Sequence, residues 1–213
     1  DQLVELLVDR PDVKRLVGDI FIGRVDAVLP GIQAAFVDIG TEKSAFLHAS
    51  DLVYDEAVDD EDEEDDDDEQ EEPDEDGKNG ASRARSDRRR AKRKADAPAI
   101  QDVLKKGQDI IVQVTKEPVA HKGVRVTSEI SLPGRFLVLL PFDGKIGISK
   151  KMNNFKEKRR LRHILRGILP PGFGVIVRTV AHDQEEATLR QDLESLLETW
   201  KEVQAKLKAS QAP

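Results

Sequence analysis

Two phenylalanines stand where a β-strand would turn them away from a core. In AAFVDI (34–39), an alternation that sends Ala35, Val37 and Ile39 inward leaves Phe36 on the other face, beside Ala34 and Asp38. In SAFLH (44–48), Ala45 and Leu47 share one face, and Ser44, Phe46 and His48 share the other. Exposed rings on adjacent strands can stack nucleic-acid bases, at roughly 1–3 kcal/mol per base. The opposite parity would make either ring ordinary core, and alternation alone does not choose between the two. Other chemistry is sparse. His48, His121, His163 and His182 show no metal-ligand spacing, and there is no glycine-rich phosphate loop. The absence of cysteine excludes disulfides and thiolate zinc sites. A metal-dependent nuclease centre needs a few carboxylates on a rigid scaffold, and outside one acidic run no such set stands out.

The elements that must carry these residues are short strands. DIFIGRVDAVL (19–29) precedes the two phenylalanine segments, with Pro30-Gly31 as a turn signal between strands. DIIVQVTKE (109–117) and GVRVTSEISL (123–132) follow later, so five strands with glycine-bearing turns predict a small OB-type barrel. Beyond it, RFLVLL (135–140), GKIGIS (144–149) and GVIVRTV (174–180) read as strands. Residues 155–168 read as a basic amphipathic helix, with Phe155, Leu161, Ile164, Leu165 and Ile168 on one side. Pro170-Pro171-Gly172 ends it. Asp183 and Glu186 have the spacing of a capping box for a long final helix. Leu189, Leu193, Leu196, Trp200, Val203 and Leu207 form one apolar seam on that helix, for a sheet or a partner helix to cover.

The net charge of −8 hides an uneven distribution. Residues 55–94 hold 19 acidic and 9 basic side chains, which leaves the remainder at +2 and compatible with nucleic-acid binding. The acidic run DDEDEEDDDDEQEEPDEDG and the basic RARSDRRRAKRKA cannot bury enough apolar surface to offset ordering entropy. Residues 55–98 are therefore expected to be a long charged disordered loop. No apolar run reaches the roughly 18–20 residues of a membrane helix, so no membrane span is expected, and the absence of cysteine fits the expected cytoplasmic location. The start, DQLVELLVDRPD, lacks an initiator Met and reads as a piece of a longer chain.

Three stretches together resemble the ribonuclease E/G family. They are GDIFIGRVDAVLPGIQAAFVDIGTEKSAFLHASDL (18–52), GQDIIVQVTKEPVAHKGVRVTSEISLPGRFLVLLP (107–141) and GVIVRTVA (174–181), in the family's order. The resemblance implies an α+β fold: a five-stranded OB-type (S1) barrel inserted in an RNase H-like α/β domain. Residues 1–16 would begin that domain, 17–118 would form the S1-type domain, and 119–213 would complete the RNase H-like part. It further implies that Phe36 and Phe46 contact RNA. The family's barrel lysine matches Lys122 in HKGVRVT, with Lys116 as a nearby competitor. A pocket for an RNA 5′-monophosphate would draw on Arg178 and Thr179, with Gly134 and Val138 lining the first base. Lys150 and Lys151 in ISKK fall at a basic position of the family. A terminal phosphate suits this set, because guanidinium gives paired donors and a Thr hydroxyl adds one more.

The same resemblance places the metal-binding aspartates, hence the Mg site of the full-length enzyme, in a DNase I-like segment downstream. The zinc-linking cysteines would lie there too. The implied function is the RNA-binding, 5′-monophosphate-sensing part of a single-strand-specific endoribonuclease of RNA processing and decay, homo-oligomeric at full length. The chain alone would bind single-stranded RNA, preferring a 5′-monophosphate, and cut nothing. A non-catalytic S1-type RNA-binding protein is the alternative, and a partner-binding module using the 189–207 seam is a third.

Overall fold

The computed structural model describes residues 16–52, 98–118 and 122–213. The expectations for residues 1–15, the charged run within 53–97 and His121 lie outside the described residues.

Five strands close into a barrel: β1 (Ile20–Leu29), β2 (Ala34–Asp38), β3 (Ala45–His48), β4 (Asp109–Lys116) and β5 (Arg125–Thr127). Their order is β1-β2-β3-β5-β4, antiparallel throughout except for the β3–β5 pair. Val25, Ala35, Val37, Ala45, Leu47, Val112 and Val126 fill the interior, all essentially inaccessible. Alternation with period two produces this core directly. The Pro30-Gly31 signal becomes a single 3-10 turn over Pro30–Ile32. It ends on Gln33 in the left-handed region at φ 49°. The Gln33 side chain donates to Pro30 O at 2.7 Å and accepts from Ile100 N at 3.1 Å. Ile100 opens a four-residue helix, α1 (Ile100–Val103), that plugs the barrel core and had no sequence signal beyond its apolar residues. Gly123 is needed at the entry to β5, because a Cβ there would collide with the Ser44 carbonyl oxygen.

The second layer is a four-stranded sheet with the order β6 (Leu132–Pro133), β7 (Leu137–Leu140), β9 (Gly174–Val177), β8 (Ile146–Ile148). Two helices, α2 (Phe155–Ile168) and α3 (Glu186–Ala209), cover one of its faces. Leu161 and Leu165 of α2 meet Leu137, Leu139, Val175 and Val177 in one core with Leu189, Leu193, Leu196 and Trp200 of α3. The apolar seam of the last helix therefore packs on a sheet of its own chain, and Val203 and Leu207 extend that packing as partly buried residues. The architecture is α+β, as the strand and helix signals indicated.

Four expectations change in detail. The segment 123–132 is not one strand. After Thr127, the Ser128 N–H turns to Asp51 O (2.9 Å) and the Ser131 N–H to the Gln113 side chain (2.9 Å). The chain thus leaves the barrel there and starts the second sheet at Leu132. Buried Gln113 ties the two parts together by also donating to Gly18 O and Ser131 O, both at 3.0 Å. The strand drawn over 174–180 stops at Val177 and continues as a 3-10 turn, Thr179–Ala181. Asp183 is no capping residue: it has φ 58° and gives its N–H to Glu157, while α3 starts without a side-chain cap. Phe155 sits at the first turn of α2 with 55% exposure, outside the core, where Asn154 caps the helix through Glu157 N.

Candidate nucleic-acid interface

On the barrel, Phe36 and Phe46 are directly opposed residues of β2 and β3. Both are half-buried on the outer surface, with ring centroids 6.1 Å apart and planes inclined at 68°. This edge-to-face pair leaves ring surface open to a planar ligand. The outward parity for both rings is the one the structure adopts. Ala34 shares the Phe36 face but is fully covered, so that face is not polar throughout.

The strand register extends the pair into a row. Ala27 lies opposite Phe36, Arg125 is the β5 neighbour of Phe46, and Lys116 of β4 is paired with Arg125. Two cations therefore follow two aromatics across one barrel face. Sequence reading passed over Arg125, although the alternation Val124–Arg125–Val126 marks it as outward. Arg125 is held by Asp51, with Nε and Nη2 donating to Oδ2 at 3.0 and 2.7 Å. Lys122 is exposed in the segment leading into β5, three residues from Arg125, and Lys116 is exposed in the row itself.

The second candidate cluster lies at one edge of the four-stranded sheet. Arg178 follows β9, and its Nη1 donates to the Gly134 carbonyl at 2.6 Å. Val138 pairs with Pro133 on one side and Ile176 on the other, and Ile176 is 39% exposed on the face that the helices leave bare. Gly134, Val138 and Arg178 are thus brought together. Thr179 is the exposed first residue of the 3-10 turn that follows. Ser149 donates to Val177 O at 2.9 Å, so the turn bearing exposed Lys150 and Lys151 sits at the same sheet end as Arg178.

Asp192, which no sequence pattern singled out, fixes this cluster. Its carboxylate accepts the main-chain N–H groups of Arg135, Phe136 and Leu137 at 3.1, 2.9 and 2.9 Å. These charge-assisted bonds hold the turn whose Gly134 carbonyl meets Arg178. A Cβ at position 134 would lie 2.8 Å from Asp192 Oδ2, so only glycine lets the carboxylate close on this turn.

A third cluster, Glu157, His182 and Asp183, brings three ligand-type atoms within 4.8 Å. It does not fit a divalent cation such as Mg. Arg160 already fills it, donating Nε to Glu157 Oε2 at 2.8 Å and Nη2 to Oε1 at 2.7 Å. Asp183 N adds a bond to Oε1 at 2.9 Å. The Arg160 hydrogen bonds outweigh desolvation and, with Asp183 N–H, hold the Glu157 carboxyl at a pKa of about 2. This cluster is a structural pin. Among the described residues no helix is long and apolar enough to cross a membrane.

Residues 131–213 match the model of the Ribonuclease E/G family. The chain is 36% identical over 202 residues to ribonuclease G of Haemophilus influenzae, covering 94% of this chain and 35% of that protein. It is 37% identical over 214 residues to ribonuclease E of Synechocystis, covering 100% and 26%. It is 34% identical over 210 residues to ribonuclease G of Escherichia coli, covering 98% and 37%. The chain spans about a quarter to just over a third of the length of these relatives.

Proposed function

Because this chain belongs to the ribonuclease E/G family, we propose that it is the RNA-binding and 5′-end-sensing part of an endoribonuclease of RNA processing and decay. Bases of a single strand stack on Phe36 and Phe46, while Arg125, Lys116 and Lys122 neutralise adjacent phosphates. Arg178 and Thr179 take the 5′-monophosphate, with Gly134 and Val138 against the first base. Lys150 and Lys151 serve the phosphates that follow. In this reading the S1-type domain runs from residue 17 through β5 at Thr127, past the 118 limit expected from the sequence, and is nested in an RNase H-like part made from residues 1–16 and the chain after Thr127. Hydrolysis, with its Mg, belongs to a downstream segment of a homo-oligomeric cytoplasmic enzyme, and the 213-residue chain binds RNA without cutting it.

The cross-strand Phe36–Phe46 pair with Arg125 and Lys116 in the same row carries this reading. Stacking surface beside cations is what a single strand presents its bases and backbone to. The test is binding of matched single-stranded RNA oligomers carrying a 5′-monophosphate or a 5′-hydroxyl, at fixed salt, with and without Mg. Tighter binding of the monophosphate and no cleavage are expected. Absence of RNA binding, or Mg-dependent cleavage by the purified chain, would overturn it.

A further inference from the structure

The basic face of α2 has no part in either cluster above. Lys156, Arg159, His163 and Arg166 recur at 3-4-3 spacing on this helix and are all exposed, whereas Leu161 and Leu165 on the opposite side are fully buried. The helix has one acidic residue, Glu157, which is buried and held by Arg160. Asp183, in the loop packed against α2, is paired with His182 at 2.8 Å.

The long helix α3 shows what an ordinary solvated face looks like in the same molecule. Its exposed side alternates Glu186, Arg190, Glu194, Glu198, Lys201 and Glu202, with Arg190 and Glu186 joined at 2.6 Å. Mixed signs suit a face that only meets water. A face of one sign repels itself and suits a polyanion.

A second observation sits at the far end of α2. Arg162 and Arg166 line a recess of about 240 Å³ with Gly144, Pro170 and Gly172. The two glycines leave main chain rather than side chains at its rim.

We propose that the outer face of α2 is a track for the phosphodiester backbone of single-stranded RNA, separate from the Phe36–Phe46 platform and from Arg178. The proposal rests on the reading of RNA as the ligand and adds a third contact surface to it. The track spans Lys156 to Arg166, about 15 Å of helix. Its near end is tied to the loop that carries Arg178. Asp183 N donates to Glu157, and Arg160 Nη2 donates to Gln184 O at 2.8 Å, so α2 abuts the segment directly after Thr179. A strand anchored at Arg178 meets α2 as it leaves the sheet edge. This continuity favours RNA over an acidic peptide.

The test uses the 213-residue protein and a 5′-hydroxyl RNA oligomer, so that the 5′ pocket does not contribute. Affinity is measured against salt for the parent, for Lys156→Gln/Arg159→Gln/Arg166→Gln, and for a control on α3, Lys201→Gln/Lys206→Gln/Lys208→Gln. Losing three phosphate contacts should lower the slope of log K against log salt by about 2, and weaken binding on the order of 10- to 100-fold at 0.1 M salt. The control should keep the parent's slope. An unchanged slope in the α2 variant, or an equal fall in the control, would overturn the track. If the triple variant fails to fold, Lys156→Gln/Arg159→Gln should lower the slope by about 1, and no change there would also overturn it. A polyglutamate peptide of equal charge that binds as tightly as RNA through α2 would reject RNA as the partner. A parent that binds no RNA would overturn the proposed function itself, and this track with it.

Discussion

The Arg178 guanidinium donates from Nη1 to the Gly134 carbonyl oxygen at 2.6 Å, across 44 residues of sequence. This bond sets the direction of the guanidinium while leaving its other N–H groups to bind a ligand. The carbonyl is itself aimed by Asp192, which gathers three amide hydrogens of the same turn. Recognition of a terminal phosphate would then depend on a relay from α3 through the turn to Arg178, not on the arginine alone.

Arg178→Gln is expected to erase most of the preference for a 5′-monophosphate over a 5′-hydroxyl. A charge-assisted hydrogen bond is worth on the order of 1.5–3 kcal/mol, so the preference lost is roughly 10- to 100-fold. Binding of a circular RNA, which has no 5′ end, should stay near the parent value. Affinities for the three RNAs decide the matter. An equal loss for circular and linear RNA would place Arg178 in general binding instead.

Asp192→Asn should weaken the same preference without touching the phosphate site directly. The amide nitrogen would face N–H donors where a carboxylate oxygen now accepts them, so the turn 134–137 loosens. A stability loss of about 1–3 kcal/mol is expected alongside. The telling measurement is the affinity ratio between 5′-monophosphate and 5′-hydroxyl RNA, taken well below the unfolding temperature. If the ratio stays at the parent value while stability falls, Asp192 is only a fold residue.

Phe36→Ala and Phe46→Ala should each weaken binding of single-stranded RNA by roughly 1–3 kcal/mol, whatever the 5′ end carries. Because the rings also contact each other edge-on at 6.1 Å, the double variant should lose less than the sum of the two. Circular dichroism and the thermal midpoint check that the barrel persists. Full affinity in both single variants would remove the stacking platform from the proposal.

The parts of this protein readable from sequence are those with a local period. Alternation puts Val37 and Leu47 on one strand face and Phe36 and Phe46 on the other, and closure of the barrel decides that the valine and leucine face is the inner one. The seam from Leu189 to Trp200 is buried because a helix repeats every 3.6. The parts that were not readable depend on partners far away in the chain. Asp192 reaches a turn 55 to 57 residues earlier, and Asp51 holds Arg125 across 74. Gln113 looks like an ordinary strand residue until Gly18 and Ser131 close around it. Asp183 departs from its sequence pattern for the same reason. Its spacing to Glu186 fits a cap, but Glu157 takes its N–H and fixes it in a left-handed conformation.

Glu157 supplies a pH test of the pin beneath the Arg178 loop. Its carboxyl is held at about 2, against an ordinary value of 4.5, chiefly by the Arg160 side chain. A carboxylate with a depressed pKa in the folded state stabilises that state fully above its unfolded pKa. The contribution fades as pH falls from near 4.5 through about 2. The shift corresponds to roughly 3 kcal/mol at neutral pH. Glu157→Gln should therefore be less stable than the parent by about that amount at pH 7, and the gap should narrow steadily between pH 5 and pH 2. Urea midpoints across that range measure it, with Arg160→Gln as the partner variant. In the double variant the loss should fall well short of the sum, since each single change already breaks the pair. Parallel stability curves for parent and Glu157→Gln below pH 5 would show that the carboxylate does not hold this loop.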